Sequence, residues 1–154
     1  MVRLEHWPKD TRVRQLKTYL VENSNVIRDN LVATLEELLP AKVVGVAGDA
    51  ATAVQWLAEE GNACDLWIVD IFLNEGSGLN VLSAIRERRT DVKVVVLTNY
   101  ATGPMRRKCM DLGADRVFDK SNDIDLLIGY CEGLVRQFDR DGIGPAANGS
   151  TELQ

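Results

Sequence analysis

The amino-acid sequence predicts an α/β domain built on an open, doubly wound parallel sheet with helices on both faces. Two observations lead to this fold class. Short apolar runs alternate five times with longer segments whose apolar residues recur at helical spacing. The fourth run, Val92 to Leu97, is the most apolar, as expected for a strand buried on both faces. Five successive β–α units indicate a parallel sheet, and right-handed crossovers leave few arrangements for it.

Each predicted strand is a short apolar run bounded by residues that favour turns or helix caps. The predicted strands are Leu16 to Val21, Lys42 to Ala47, Leu66 to Val69, Val92 to Leu97 and Arg116 to Phe118.

The first two helices have recognisable starts and ends. Ser24 is a plausible N-cap, and Pro40 ends the first helix. The inner face of this helix carries Ile27, Leu31, Leu35 and Leu38. Gly48 and Asp49 precede the second helix, and Gly61 suits the left-handed position just after its end. Its inner side carries Ala50, Val54 and Leu57.

The last three helices follow loops that contain glycine, proline or polar residues. A loop with Gly76 and Gly78 leads into a helix that carries Val81, Leu82 and Ile85. Gly103-Pro104 marks the start of the fourth helix, because proline is well tolerated at a first helical position. Its inner stripe is Met105, Cys109 and Leu112, with Gly113 at its end. A final helix is expected from Ile124 to Phe138.

The chain of 154 residues is expected to form one domain. We predict an N-terminal extension over residues 1–14 and the folded domain over residues 15–139. Residues 140–154 are rich in Gly, Ala, Asn and Ser without periodicity, which predicts a disordered tail.

Composition argues against several classes of function. The net charge is -5, from 18 basic and 23 acidic residues, which does not favour nucleic acid or an anionic membrane as a partner. The three cysteines, Cys64, Cys109 and Cys131, have neither disulfide-framework nor zinc-site spacing. The N-terminus does not resemble a signal peptide, and no apolar run approaches the ~20 residues that cross a bilayer. A cytoplasmic location is therefore expected.

The residues that follow the strands are the candidates for chemistry, because ligands of open parallel sheets bind at the carboxyl ends of the strands. Glu22 and Asn23 follow the first strand, and Asp70 follows the third. Thr98 follows the fourth strand and Lys120 the fifth. Two acids, an amide, a hydroxyl and an ammonium are therefore expected at one edge of the sheet.

This combination suits phosphoryl transfer to a carboxylate. Asp70 would be the nucleophile, since carboxylates form acyl phosphates in known enzymes. Mg²⁺ binds one or two carboxylates together with water and phosphate oxygens. Lys120 and Thr98 would supply a positive charge and a hydroxyl donor to other phosphoryl oxygens. Taken singly, Asp70 could be a turn or cap residue, Thr98 a structural threonine and Lys120 a loop residue; their joint placement favours the site.

Four segments resemble the receiver domain of two-component response regulators. They read LVENS at the first strand end, DLWIVDIFLNEGSGLNVL around Asp70, VVVLTN at the fourth strand end and GADRVFDKS at the fifth. The resemblance covers about Lys17 to Phe138. It implies the CheY-like, flavodoxin-like fold with five helices and strand order 2-1-3-4-5.

The same resemblance implies roles for individual residues. Asp70 is the expected phospho-acceptor, Thr98 the switch hydroxyl and Lys120 the phosphoryl-binding lysine. The main-chain carbonyl of Phe72 falls where the family ligates its metal, Mg²⁺. A sensor histidine kinase or a phosphotransfer protein is the implied phosphoryl donor. The chain is expected to act as a signalling switch rather than as a metabolic enzyme.

The sequence departs from the family in two places. Two acids usually follow the first strand, whereas here the pair is Glu22-Asn23, and the lost charge predicts weaker Mg²⁺ binding. An aromatic switch residue often stands three positions before the lysine, where this chain has Val117. Phe118 is adjacent but is expected on the opposite face of the strand.

Phosphorylation is expected to change the surface formed by the fourth helix, the fifth strand and the fifth helix, for an output protein or an output domain. Tyr100, on the loop after the fourth strand, is either an exposed partner contact or packed on its own domain. Direct nucleic-acid binding by this chain is not expected, since a helix-turn-helix module needs some sixty further residues, and a homodimer is left open. Two other functions compete: a pseudo-receiver that binds partners without phosphorylation, and a small α/β enzyme or flavin carrier.

Overall fold

The computed structural model describes residues 14–88 and 91–140, which form a single parallel sheet with helices on both faces. The strands are β1 Leu16–Val21, β2 Ala41–Ala47, β3 Leu66–Val69, β4 Lys93–Thr98 and β5 Arg116–Asp119. The helices are α1 Asn25–Leu38, α2 Ala50–Ala58, α3 Gly78–Arg88, α4 Gly103–Asp111 and α5 Ile124–Arg140. The strand order is β2-β1-β3-β4-β5, with every neighbouring pair parallel. The predicted fold class and strand order are confirmed.

The start of α1 confirms the cap predicted at Ser24, and side-chain caps that were not predicted begin α2 and α4. Ser24 accepts a hydrogen bond from Ile27 N at the start of α1, and Asp49 accepts one from Thr52 N at the start of α2. Thr102 does the same for α4, and Pro104 lies in the first turn as expected. Gly61 has a φ of +90°, the left-handed conformation predicted for it. In α2 the most deeply buried residue is Ala53, whereas Val54, predicted to face inward, is only partly buried.

Alternate strand residues supply two separate hydrophobic clusters, one on each face of the sheet. In β3, Leu66 and Ile68 pack with α1 and α5, whereas Trp67 and Val69 pack with α2, α3 and α4. The same alternation runs along β1 and β4. This period of two follows from strand geometry, and it explains why the central strands are apolar throughout.

An aromatic group occupies the face of the sheet under α2. The ring of Tyr19 lies 4.4 Å from that of Trp56 and 4.5 Å from that of Trp67, measured between centroids. Gly45 on β2 makes room for this group, because a Cβ there would come within 2.5 Å of the Tyr19 ring. Burial raises the pKa of Tyr19 to about 12, with smaller contributions from nearby acidic groups.

The predicted N-terminal extension lies outside the described residues except for Arg14, and the predicted tail lies outside them except for Arg140. Both therefore stay predictions, as do the domain boundaries drawn from them. Within residues 14–88 and 91–140, no helix combines the length and apolar character needed to span a bilayer.

Substitution of two helical glycines by alanine is expected to change the stability of the fold in opposite directions. Gly78 begins α3, and a Cβ there would lie 2.1 Å from the carbonyl oxygen of Asp70, so Gly78→Ala should destabilise the fold by about 3 kcal/mol. Gly129 lies inside α5 with open space around it, so Gly129→Ala should stabilise the fold by about 0.5–1 kcal/mol. Urea unfolding of both variants measures the difference. Equal changes in the unfolding free energy would contradict it.

Candidate functional site

The predicted site residues gather at the carboxyl edge of the sheet because the backbone ladder continues just past the strands. Glu22 N donates to Ala47 O at 2.8 Å, and Asp70 N donates to Val21 O at 2.9 Å. Lys120 N donates to Thr98 O at 2.8 Å. These main-chain bonds hold the side chains that follow β1, β3 and β5 at defined positions.

Lys120 joins the two acidic residues of the edge. Its Nζ lies 2.8 Å from Glu22 Oε1 and 2.9 Å from Asp70 Oδ2. Glu22 is 1% exposed and Asp70 is 5% exposed. Burying a carboxylate is unfavourable unless a cation and hydrogen-bond donors compensate for the lost water. The shared ammonium therefore makes this pair of buried acids possible, and the two carboxylates and the ammonium together carry one excess negative charge.

The remaining carboxylate oxygens are held unequally. Glu22 Oε2 accepts a hydrogen bond from Ser24 N at 2.9 Å, which places this side chain firmly. Asp70 Oδ1 has only a long contact, 3.4 Å, with Phe72 N. Oδ1 is therefore the most weakly held of the four carboxylate oxygens.

The surroundings of Asp70 and Lys120 shift the pKa of both groups. Burial raises the pKa of Asp70; hydrogen bonding to Lys120 and its charge oppose this effect, and the neighbouring Glu22 adds to it. Burial lowers the pKa of Lys120, but its hydrogen bonds to Glu22 and Asp70 and the two charges outweigh burial. The pKa of Lys120 is raised as a result, and the group stays an ammonium at neutral pH.

Thr98 is fully buried at the same edge, but its hydroxyl is turned toward its own loop. Its Oγ1 accepts a hydrogen bond from Tyr100 N at 3.2 Å. Among the hydrogen bonds of the described residues, none joins Thr98 to Asp70. The sequence placed Thr98 at the right edge, whereas its orientation is set by the turn that follows it.

Asn23 is at the site edge but outside the charged group. Its Nδ2 donates to Asn74 Oδ1 at 3.3 Å, across to the loop between β3 and α3. The longer side chain of Glu22 reaches inward to Lys120. Arg28, which donates to the carbonyl of Glu22 at 2.9 Å, was missed. Its position one helical turn after the Ser24 cap was the signal that could have identified it.

An aromatic pair lies on the rim of the site. Phe72 is 50% exposed and Tyr100 is 58% exposed. Their ring centroids are 4.7 Å apart with a T-shaped geometry. Tyr100 is thus exposed and also packed against its own domain. On β5, Val117 and Phe118 lie in opposite hydrophobic clusters, which confirms the predicted alternation.

The donors at this edge fit a magnesium ion that is bound through few protein ligands. Within the described ranges, 14–88 and 91–140, no three His, Cys, Asp or Glu side chains form a metal-binding group. Two carboxylates, from Glu22 and Asp70, converge on one cation, Lys120. Mg²⁺ commonly keeps several waters and takes only one or two carboxylates, so the oxygen donors present are of the kind it needs.

The fold and the edge site define a doubly wound α/β protein with a buried acid pair and a lysine at the carboxyl ends of its strands. The family described as the response regulator receiver domain matches residues 19–132. The chain belongs to this family.

Curated relatives are response regulators and transcriptional regulators. The response regulator UvrY of Escherichia coli K12 is 30% identical over 99 residues, covering 64% of this chain and 44% of UvrY. The transcriptional regulatory protein YdfI of Bacillus subtilis is 26% identical over 120 residues, covering 78% of this chain and 55% of YdfI. The chain thus spans about half the length of these relatives.

Solved structures share the CheY-like fold. The signal receiver domain of an HD domain-containing protein from Pseudomonas fluorescens Pf-5 has a TM-score of 0.68 and 26% identity, covering 82% of this chain and 99% of that one. A LuxR-family two-component response regulator from Aurantimonas has a TM-score of 0.71 and 21% identity, covering 80% and 87%. The second likeness shows the fold alone.

Removing the charge of Asp70 is expected to stabilise the protein at neutral pH. The pKa of Asp70 is higher in the folded state, so folding favours the protonated carboxyl group. The contribution of this group to stability is complete below the ordinary carboxyl pKa and is lost as the pH rises through the pKa of the folded state. Asp70→Asn should therefore raise the melting temperature at pH 7 by a few degrees. For a domain of this size, such a shift corresponds to a gain of roughly 1 kcal/mol in the free energy of unfolding. The gain should shrink toward pH 4. Asp91→Asn, at an exposed position, is the control and should change little; a destabilised Asp70→Asn protein would refute the expectation.

Proposed function

We propose that this receiver domain is a phosphoryl-accepting switch, with Asp70 as the acceptor. The observation that carries the proposal is the buried Asp70 carboxylate with the Lys120 ammonium 2.9 Å away, at the carboxyl edge of a doubly wound sheet. Such a carboxylate is a nucleophile with a fixed positive charge beside the point where phosphoryl oxygens would arrive. The donor is proposed to be a sensor histidine kinase or a phosphotransfer protein in the cytoplasm.

The proposed reaction is a displacement at phosphorus. An oxygen of Asp70 attacks the phosphorus atom of a phosphohistidine and forms a new P–O bond. The P–N bond of the donor breaks, and its electron pair returns to the imidazole nitrogen. Lys120 offsets the negative charge on the transferred group, while Thr98 can donate its hydroxyl hydrogen to a phosphoryl oxygen after leaving its bond with Tyr100.

A bound Mg²⁺ would neutralise charge on the phosphoryl oxygens. The residues proposed to hold it are Asp70, the main-chain carbonyl of Phe72 and, at the end of β1, Glu22 and Asn23. Lys120 already engages both Glu22 and Asp70, and Asn23 is neutral. For these reasons we propose that metal binding is weaker than a site with two acids after β1 would provide.

The proposed output is a change at the surface of α4, β5 and α5. A phosphoryl group adds about one to two negative charges at Asp70. Movement of Thr98 and Lys120 toward it would displace the loops after β4 and β5. A coupling energy of about 1–3 kcal/mol is enough to change the affinity for an output protein or domain.

A pseudo-receiver is the second candidate. It is favoured by Asn23 bonding to Asn74 instead of facing the acids, and by Lys120 already joining Glu22 to Asp70. In that case the domain would bind partners in one state, without phosphorylation.

Phosphoryl uptake separates the two candidates. Incubation with acetyl phosphate and Mg²⁺ should add the mass of one phosphoryl group, because the Asp70 oxygen displaces acetate from phosphorus. Intact-mass measurement detects the gain, which should be absent in Asp70→Asn. Asp125→Asn, an exposed change at the start of α5, is the matched control and should retain the gain. Folded protein that gains no mass would support the pseudo-receiver.

Asn23→Asp tests the altered metal side of the site. A second carboxylate after β1 should strengthen Mg²⁺ binding and lower the half-saturating Mg²⁺ concentration for phosphoryl uptake by about tenfold, or 1.4 kcal/mol. A Mg²⁺ titration of uptake in both proteins measures this. Equal half-saturation would show that Asn23 has no part in metal binding.

A further inference from the structure

Arg106, on the first turns of α4, connects three separate segments near the site. Its Nε donates to the carbonyl oxygen of Ala101 at 3.0 Å, and its Nη1 donates to that of Val117 at 2.7 Å. Its Nη2 lies 3.9 Å from Asp123 Oδ2. One side chain thus joins the loop after β4, the strand β5 and the segment before α5.

These segments are the ones that carry Thr98 and Lys120. Ala101 is three residues beyond Thr98 on the same loop. Asp123 Oδ2 also accepts a hydrogen bond from Asp119 N at 2.8 Å, next to Lys120 in the chain. Arg106 therefore contacts the segments that carry Thr98 and Lys120, but neither of these two side chains.

The two carbonyl bonds are the important part of this arrangement. The side chain of Arg106 is 43% exposed, so its distant ion pair with Asp123 is expected to contribute little. A guanidinium has several donors in a fixed plane, which lets one residue bond two carbonyls in different directions. An ammonium lacks this planar fork.

Two hydrogen bonds of the loop after β4 bear on the Thr98 hydroxyl, in addition to the bond of Ser121 Oγ to Asn99 Oδ1 at 3.3 Å and the contact of the Tyr100 ring with Phe72. Near its start, Thr98 Oγ1 accepts from Tyr100 N, and further along, Ala101 O accepts from Arg106 Nε. A turn of the Thr98 hydroxyl toward a phosphoryl group on Asp70 would break the first bond and free Tyr100 N, so that the segment between the two bonds could shift. The second bond resists that movement.

We propose that Arg106 is a positioning residue that restrains the loop over residues 98–101 in its unphosphorylated arrangement and so slows phosphoryl uptake through Thr98. This inference rests on the function proposed above. It predicts that releasing Arg106 makes the domain accept a phosphoryl group faster, not more slowly.

The first experiment does not depend on phosphorylation. Hydrogen–deuterium exchange of wild-type protein, Arg106→Ala and Arg106→Lys should show exchange over residues 99–103 that is several-fold faster in both variants, with β1 and β3 unchanged. Arg107→Ala, at the neighbouring exposed position, is the control and should match the wild type. Unchanged exchange over residues 99–103 in folded Arg106 variants would overturn the restraint. If wild-type protein takes up no phosphoryl group, the proposed function fails while this experiment still decides whether Arg106 holds the loop.

The second experiment measures uptake from acetyl phosphate with saturating Mg²⁺. Arg106→Ala should raise the rate constant about fivefold, at the lower end of typical coupling between sites, and Arg106→Lys should raise it in the same direction. In a Thr98→Val background, Arg106→Ala should produce no increase, which a merely structural role would not predict. Slower or unchanged uptake in both Arg106 variants, or an increase that persists with Val at position 98, would refute the proposal.

Discussion

The sharing of the Lys120 ammonium by Glu22 and Asp70 is the interaction on which the site depends. Two carboxylates can be this deeply buried at one sheet edge only because a cation lies between them. The three residues follow β1, β3 and β5, so the strand order has to be right before the charges can meet. The fold at this edge thus brings the two carboxylates to the ammonium that compensates for their burial. The same three groups are the charged side chains of the candidate site.

The sequence was sufficient for most of the fold and for the location of the site. Strand ends are marked by a change from apolar to polar residues, and parallel topology carries Glu22, Asp70 and Lys120 to one edge. It was not sufficient for the orientation of Thr98 toward Tyr100 or of Asn23 toward Asn74. Those orientations are set by loop conformations and by neighbours distant in the chain, which residue patterns do not record. The bonds of Arg106 to two main-chain carbonyls were missed for the same reason, since any residue type can offer a carbonyl.

The strands below the site are fixed by the core, whereas the loops at their carboxyl ends can change conformation. Successive residues of β3 and β4 are buried on opposite faces, so a shift of either strand would disturb both hydrophobic clusters at once. The loop after β4, in contrast, is held by a few hydrogen bonds and by the contact of the exposed Tyr100 ring with Phe72. Rigid strands with adjustable strand-end loops are what a domain needs if a small chemical change is to alter its surface without altering its fold.

The aromatic group of Tyr19, Trp56 and Trp67 has a spectroscopic consequence. All three rings belong to the face of the sheet covered by α2, α3 and α4, and none lies on the face covered by α1 and α5. Emission from the two described tryptophans therefore reports on one half of the core. Among the described residues, the other half carries Phe118 and Tyr130, whose rings are 6.1 Å apart, and no tryptophan. Unfolding traces from fluorescence and from circular dichroism would coincide only if both layers melt together.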